Sequence, residues 1–248
     1  MDFSAPVVSM FYSAEINRVV LITFKGINLY EPFTAQKEEL EIIPNCIYLS
    51  CTRNPEDNDL LLAGYQSDDN ILKSICIYLD LVTQKSHLFE IEGEFKGACK
   101  EADREYSVKT TQNLYKVTPS SIEISEMYKD SEAALWLLDK WPNGDLIFLR
   151  TQNNTKYLVW DGIEIEVGCL NDSLVCGKYL WVFDNKKNNL SVYDCWGRVI
   201  KKDQLEKRVS GCGKIHDGGI WVFYSDFSID IFKEDGERVS SECLDIRL

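Results

Sequence analysis

The chain has 248 residues, 45% of them hydrophobic and 27% charged, which excludes a disordered polymer and leaves enough apolar surface for a full core. Acidic residues outnumber basic ones by 40 to 27, for a formal net charge of -13. Such a field repels phosphate backbones and anionic lipid, so direct nucleic-acid binding and membrane insertion are set aside, and the partner expected is another protein or peptide, one with a basic surface.

Residues 1–6 lack the basic start and apolar run of a secretion signal, and the aliphatic stretches 19–22 and 135–138 are too short to span a bilayer. A soluble, intracellular chain is expected, cytoplasmic or nuclear. From there the sequence falls into units of similar design. The first has a continuous apolar run at 19–22, then Ile27-Asn28-Leu29-Tyr30 and Leu40-Glu41-Ile42. The second has Leu60-Leu61-Leu62, then Ile75-Cys76-Ile77-Tyr78 and Leu88-Phe89-Glu90-Ile91. The third is fainter, with Asn113-Leu114-Tyr115 and Ile122-Glu123-Ile124, and residues 96–103 before it show little β character.

In the fourth unit, residues 131–140 carry helix-forming side chains behind a serine cap. The Asn143-Gly144 turn signal and the apolar run 146–149 favour a hairpin strand over that helix. A second hairpin follows at 157–167. The fifth unit runs Cys176-Gly177-Lys178, Leu180-Trp181-Val182-Phe183, Leu190-Ser191-Val192-Tyr193 and Gly197-Arg198-Val199. The sixth repeats that order with Cys212-Gly213-Lys214, Ile220-Trp221-Val222-Phe223, Ile229-Asp230-Ile231-Phe232 and Gly236-Glu237-Arg238-Val239.

One aromatic anchor recurs per unit, at Tyr30, Tyr78, Tyr115, Trp160, Tyr193 and Phe232. Their spacing averages about 40 residues, the length of a WD-type propeller blade. Continuous apolar runs suit inner strands covered on both faces, and turn signals at 54–57, 67–70, 184–189 and 234–236 separate them. The fold expected is all-β: a single β-propeller domain over 1–248 with about six four-stranded blades, five or seven staying open. The approximate blades are 6–43, 44–93, 94–132, 133–170, 171–207 and 208–248. Ring closure would cover the sheet edges.

Trp160-Asp161 and Tyr193-Asp194 resemble the dipeptide that ends the third strand of WD repeats. No Gly-His precedes them, so the Asp-His-Ser network of that family has no counterpart in these residues. The resemblance implies a divergent WD40-like propeller. The Gly-Lys then Trp-Val pattern around Trp181 and Trp221 is also similar to tectonin-type lectin propellers.

Chemistry-bearing motifs are scarce. Nine cysteines at loose spacing, without C-x-x-C and beside apolar residues, read as reduced core thiols. With only two histidines, no metal, cofactor or catalytic residues are assigned. Cys212 with His216-Asp217 lies in a glycine-rich stretch read as a solvent loop, where no nucleophile geometry is fixed. The acidic groups Glu38-Glu39-Leu40-Glu41, Glu56-Asp57-Asn58-Asp59 and Asp68-Asp69 read as solvated blade turns that together could attract a basic partner. All six tryptophans lie in the second half; blade packing explains most of them. Trp141 and Trp196, beside turns, are expected to be exposed. The partner-binding residues expected are therefore Trp141, Trp196, Glu56, Asp57, Asp68 and Asp69. The function expected is a non-enzymatic intracellular scaffold binding a protein or peptide through blade loops within a larger complex. The alternatives are a tectonin-like carbohydrate-binding propeller and a small-ligand or enzyme site in the central channel.

Overall fold

The structure, a computed structural model, describes residues 6–31, 36–40, 45–52, 58–68, 71–127, 134–168, 170–184, 188–215, 218–226 and 228–243. Packing divides the chain into two compact units, Met1–Ala134 and Leu135–Leu248. Each holds three four-stranded antiparallel sheets whose strands follow one another in chain order.

In the first unit, blade 1 consists of β1 (Val7–Ser13), β2 (Arg18–Thr23), β3 (Gly26–Tyr30) and β4 (Lys37–Leu40). Blade 2 consists of β5 (Cys46–Thr52), β6 (Asp59–Asp68), β7 (Ile71–Asp80) and β8 (Lys85–Glu90). Blade 3 consists of β9 (Phe95–Ala102), β10 (Glu105–Thr110), β11 (Asn113–Val117) and β12 (Ile122–Met127). In the second unit, blade 4 has β13 (Trp136–Lys140), β14 (Leu146–Gln152), β15 (Thr155–Trp160) and β16 (Ile163–Val167). Blade 5 has β17 (Leu170–Cys176), β18 (Tyr179–Asp184), β19 (Asn189–Asp194) and β20 (Val199–Gln204). Blade 6 has β21 (Val209–Ile215), β22 (Gly219–Tyr224), β23 (Ser228–Lys233) and β24 (Arg238–Cys243).

Two second strands, β6 and β18, are continuously apolar over Leu60–Ala63 and Leu180–Phe183, and each of these runs faces two blades. Side chains alternate across a strand, so one run supplies two interfaces. Along β6, Leu60 and Leu62 pack with Val20, Ile22 and Leu29 of blade 1, while Leu61 and Ala63 pack with Tyr106 and Val108 of blade 3. The second unit repeats this arrangement. Trp141, Ile147, Leu158 and Trp160 meet Val175, Leu180 and Val182, whereas Trp181, Phe183 and Leu190 meet Ile220, Val222 and Phe232. Each such aliphatic side chain contributes about 1.5–3 kcal/mol when fully buried. The first strands of neighbouring blades lie side by side within each unit, β1 against β5 and β5 against β9, β13 against β17 and β17 against β21. The fourth strands are the exposed ones. All six aromatic anchors sit on third strands.

Three expectations are corrected. Residues 96–103 fall mostly within β9, whose inward positions Phe95 and Cys99 are buried; the lysines and small residues between them hide the alternation. Ser67 and Asp68 belong to β6 and not to a turn. Gly211, Cys212 and Gly213 lie within β21, so this stretch is a strand where a glycine-rich loop was expected. The favoured strand at 131–140 is present as β13 from Trp136.

Candidate interaction surfaces

The most elaborate polar cluster of the first unit joins blades 2 and 3. Asp59, at the start of β6, is buried and accepts the Tyr78 hydroxyl at 2.6 Å and the Tyr106 hydroxyl at 3.3 Å. Lys100 lies 3.9 Å from the same carboxylate, and Arg104 donates its Nε to the Tyr78 oxygen at 3.0 Å. Burial, reinforced by Asp59, pushes both phenols well above the ordinary tyrosine range. Desolvation pulls the Lys100 ammonium down. Asp59 was expected in a solvated turn; it is instead a buried acceptor that joins blades 2 and 3. Lys109 of β10 is likewise fully buried and gives its ammonium to the Thr110 carbonyl at 3.1 Å.

In the second unit, the turn between β19 and β20 presents Trp196, 69% exposed. The turn itself is fixed. Asp194 Oδ1 accepts the backbone N–H groups of Trp196 at 3.0 Å and Arg198 at 2.9 Å, and Oδ2 accepts Arg198 Nε at 2.7 Å. Burial alone would raise the Asp194 carboxyl, but these donors hold it below the usual carboxylate range. The Arg198 guanidinium sits 4.8 Å from the centre of the Trp196 ring. From blade 4, the Trp160 indole donates to the Cys195 carbonyl at 2.8 Å. The exposed ring thus stands on a turn tied at both ends and from the side.

Blade 2 carries a second surface. Its β6 and β7 are ten residues each, and they pair along their full length from Asp59↔Asp80 to Asp68↔Ile71. The outer strand β8 pairs only as far as Ile75↔Glu90. Ile71, Leu72 and Lys73 therefore overhang the fourth strand, a length of about 10 Å. Ile71 and Leu72 are 62% and 65% exposed. Beneath the overhang lies a cavity of about 570 Å³, lined by Tyr65, Leu72 and Lys73 on one side and Glu90, Glu92 and Glu94 on the other. Lys73 pairs with Glu90 at 2.9 Å and Lys96 with Glu94 at 3.0 Å. The Tyr65 phenol is pushed up by burial and then by Glu94.

Of the expected partner-binding residues, Trp196 is exposed and Trp141 is not. At 1% exposure Trp141 closes the blade 4 core, its ring 5.6 Å from that of Trp160, because it packs inward with Ile147, Leu158 and Val175. Glu56, Asp57 and Asp69 lie outside the described residues, as does the Asp68 side chain; the backbone of Asp68 ends β6 beside the overhang. His216 and Asp217 also lie outside them. Sequence reasoning did not find the overhang. Its signal was the uninterrupted β-compatible stretch on both sides of residues 69–70, longer than in any other unit.

No protein-family model matches the chain, and no curated protein matches its sequence. Solved structures do match in fold. A catalytically inactive virginiamycin B lyase from Staphylococcus aureus, with quinupristin, aligns at TM-score 0.65 and 11% identity, covering 100% of this chain and 87% of that one. The C-terminal WD40 domain of Sif2 aligns at 0.61 and 11% identity over 99% of this chain and 74% of the other. Hsv2 of Kluyveromyces marxianus aligns at 0.58 and 11% identity, over 99% and 83%. These likenesses, with the six four-stranded blades, make the fold a WD40-like six-bladed β-propeller.

Proposed function

We propose that the chain is a non-enzymatic scaffold inside the cell that binds a protein or peptide partner through its blade turns, as part of a larger complex. The observation that carries this reading is the Trp196 turn. A large ring held in one orientation loses little freedom on binding, and exposed tryptophan and arginine side chains are the residues that most often dominate protein interfaces. The likeness to WD40 domains supports the reading at the level of fold alone. Tagged wild-type chain and Trp196→Ala should be compared in quantitative affinity capture under native conditions. The expected result is a protein recovered near stoichiometry by the wild type and at least tenfold less by the variant. Equal recovery by both, or a wild type that comes back alone, would overturn it.

A small-ligand or enzymatic propeller is the second reading, favoured by the lyase likeness over the whole chain. Quinupristin, present in that lyase structure, is the direct probe. A rise in the thermal midpoint of this chain on adding it would support the second reading; an unchanged midpoint would count against it.

A further inference from the structure

The overhang of blade 2 is an unfinished sheet edge. The Ile91 N–H donates to the Ser74 carbonyl at 3.0 Å, so Ser74 directs its backbone groups to the β8 side. Backbone direction alternates along a strand, so Leu72 directs its own N–H and C=O to that side as well. The opposite strand agrees with this register. Ser67, which faces Leu72, sends its N–H away from β7 to the Asn45 carbonyl at 3.0 Å. Among the described residues no strand pairs with the Leu72 edge, and the cavity lined by Leu72 and Lys73 opens beside it.

We infer that this edge accepts a short extended segment of a partner protein carrying alternating apolar and basic side chains, which adds to β7 as a fifth strand segment. Backbone groups of Leu72 supply the pairing, and the exposed Ile71 and Leu72 side chains supply apolar contact. Charge selects the partner. Glu90 and Glu94 each have a lysine beside them, whereas the Glu92 carboxylate has no ion-pair partner among the described residues. The chain as a whole is at -13, so its long-range field draws a cationic segment in. A segment with acidic side chains would meet three glutamates at short range. Five or six residues of strand would span the overhang and the cavity.

This inference rests on the reading of the chain as a binding module, but it uses a different blade from Trp196, and the two fail separately. The probe is a capped octapeptide of alternating lysine and valine, titrated against the full chain by calorimetry at low and moderate salt. Binding should weaken as salt is raised. The same peptide N-methylated at its four central residues should bind at least tenfold more weakly, because it cannot form the ladder. An alternating glutamate and valine peptide should not bind. Leu72→Pro, which removes the outward N–H, and Glu92→Lys, which sits in a surface connection outside the ladder, should each cost at least tenfold. Trp196→Ala should bind the peptide as the wild type does. Equal binding of the N-methylated peptide, or full binding by Glu92→Lys, would overturn the inference. So would absence of binding by the lysine peptide to a chain that still captures a partner through Trp196, and in that case the scaffold reading would stand.

Discussion

Asp59 shows how little a residue's type says about its role. It closes a run of acidic and amide residues that looks like one solvated turn, yet its carboxylate is buried against two phenols and an ammonium. The sequence offers no way to separate it from Asp57, because only the position of the first β6 residue relative to Tyr106 of the next blade turns it inward. Removing a buried acceptor leaves its donors unsatisfied. Asp59→Ala should therefore destabilise the fold by about 3–5 kcal/mol, read as a lowered urea midpoint, whereas Asp59→Asn, which keeps an acceptor oxygen, should lose less. A midpoint for Asp59→Ala within error of the wild type would mean that the cluster contributes nothing to stability. Trp141 and Trp196 make the same point with opposite signs. Both stand beside turns in sequence, but one ring packs into the blade 4 core and the other is held out by its turn.

At the scale of the element, strands were legible and their register was not. The continuous apolar runs in β2, β6, β14 and β18 identify these strands directly, and those of β6 and β18 each face two blades. β9 was missed because its lysines, glycine and alanines dilute the pattern to two inward residues. The Gly-Lys repeat was misaligned for a related reason: Gly177 lies in the β17–β18 turn, while Gly213 lies inside β21. The turn of blade 6 is longer, so equal dipeptides fall at unequal places. Gly213 has its own purpose, since a Cβ there would stand 2.6 Å from the Trp221 ring. Gly64 is more constrained still. A Cβ on it would come within 2.0 Å of the Ile47 carbonyl oxygen, where the β5–β6 register shifts between Tyr48 and Ser50. Backbone cannot swing aside as a side chain can, so Gly64→Ala should cost about 3 kcal/mol. A thermal midpoint equal to that of the wild type would show that the register shift absorbs the methyl group.

For the molecule as a whole, the regular return of one aromatic and one apolar run was enough to read the fold class, because blade length is a geometric constant of propellers. The site was less legible: an overhang depends on where a neighbouring strand stops, which no local pattern records. The distribution of buried phenols yields a global expectation. Burial pushes Tyr48 up to about 12, and Tyr78, Tyr106 and Tyr224 go higher, the last through burial and its bond to Asp230. The folded chain keeps four protons that the unfolded chain gives up near pH 10. Their contribution is complete below that pH and drains as pH rises beyond it. Unfolding followed by circular dichroism should show a steep fall in midpoint above pH 10, with the share of the 295 nm phenolate signal owed to these four of the twelve tyrosines appearing only with unfolding; the full signal of the unfolded chain reached ahead of unfolding would contradict this. The indole of Trp160 reaches forward to a blade 5 carbonyl, and that of Trp181 reaches to the Glu234 carbonyl of blade 6 at 3.1 Å. Blade 5 therefore receives a donor from blade 4 and hands one to blade 6. A duplicated or deleted copy would have to complete both halves of that exchange. Gain or loss of blades by gene duplication is thus confined in this half of the chain to copies that carry a matching tryptophan and a matching turn.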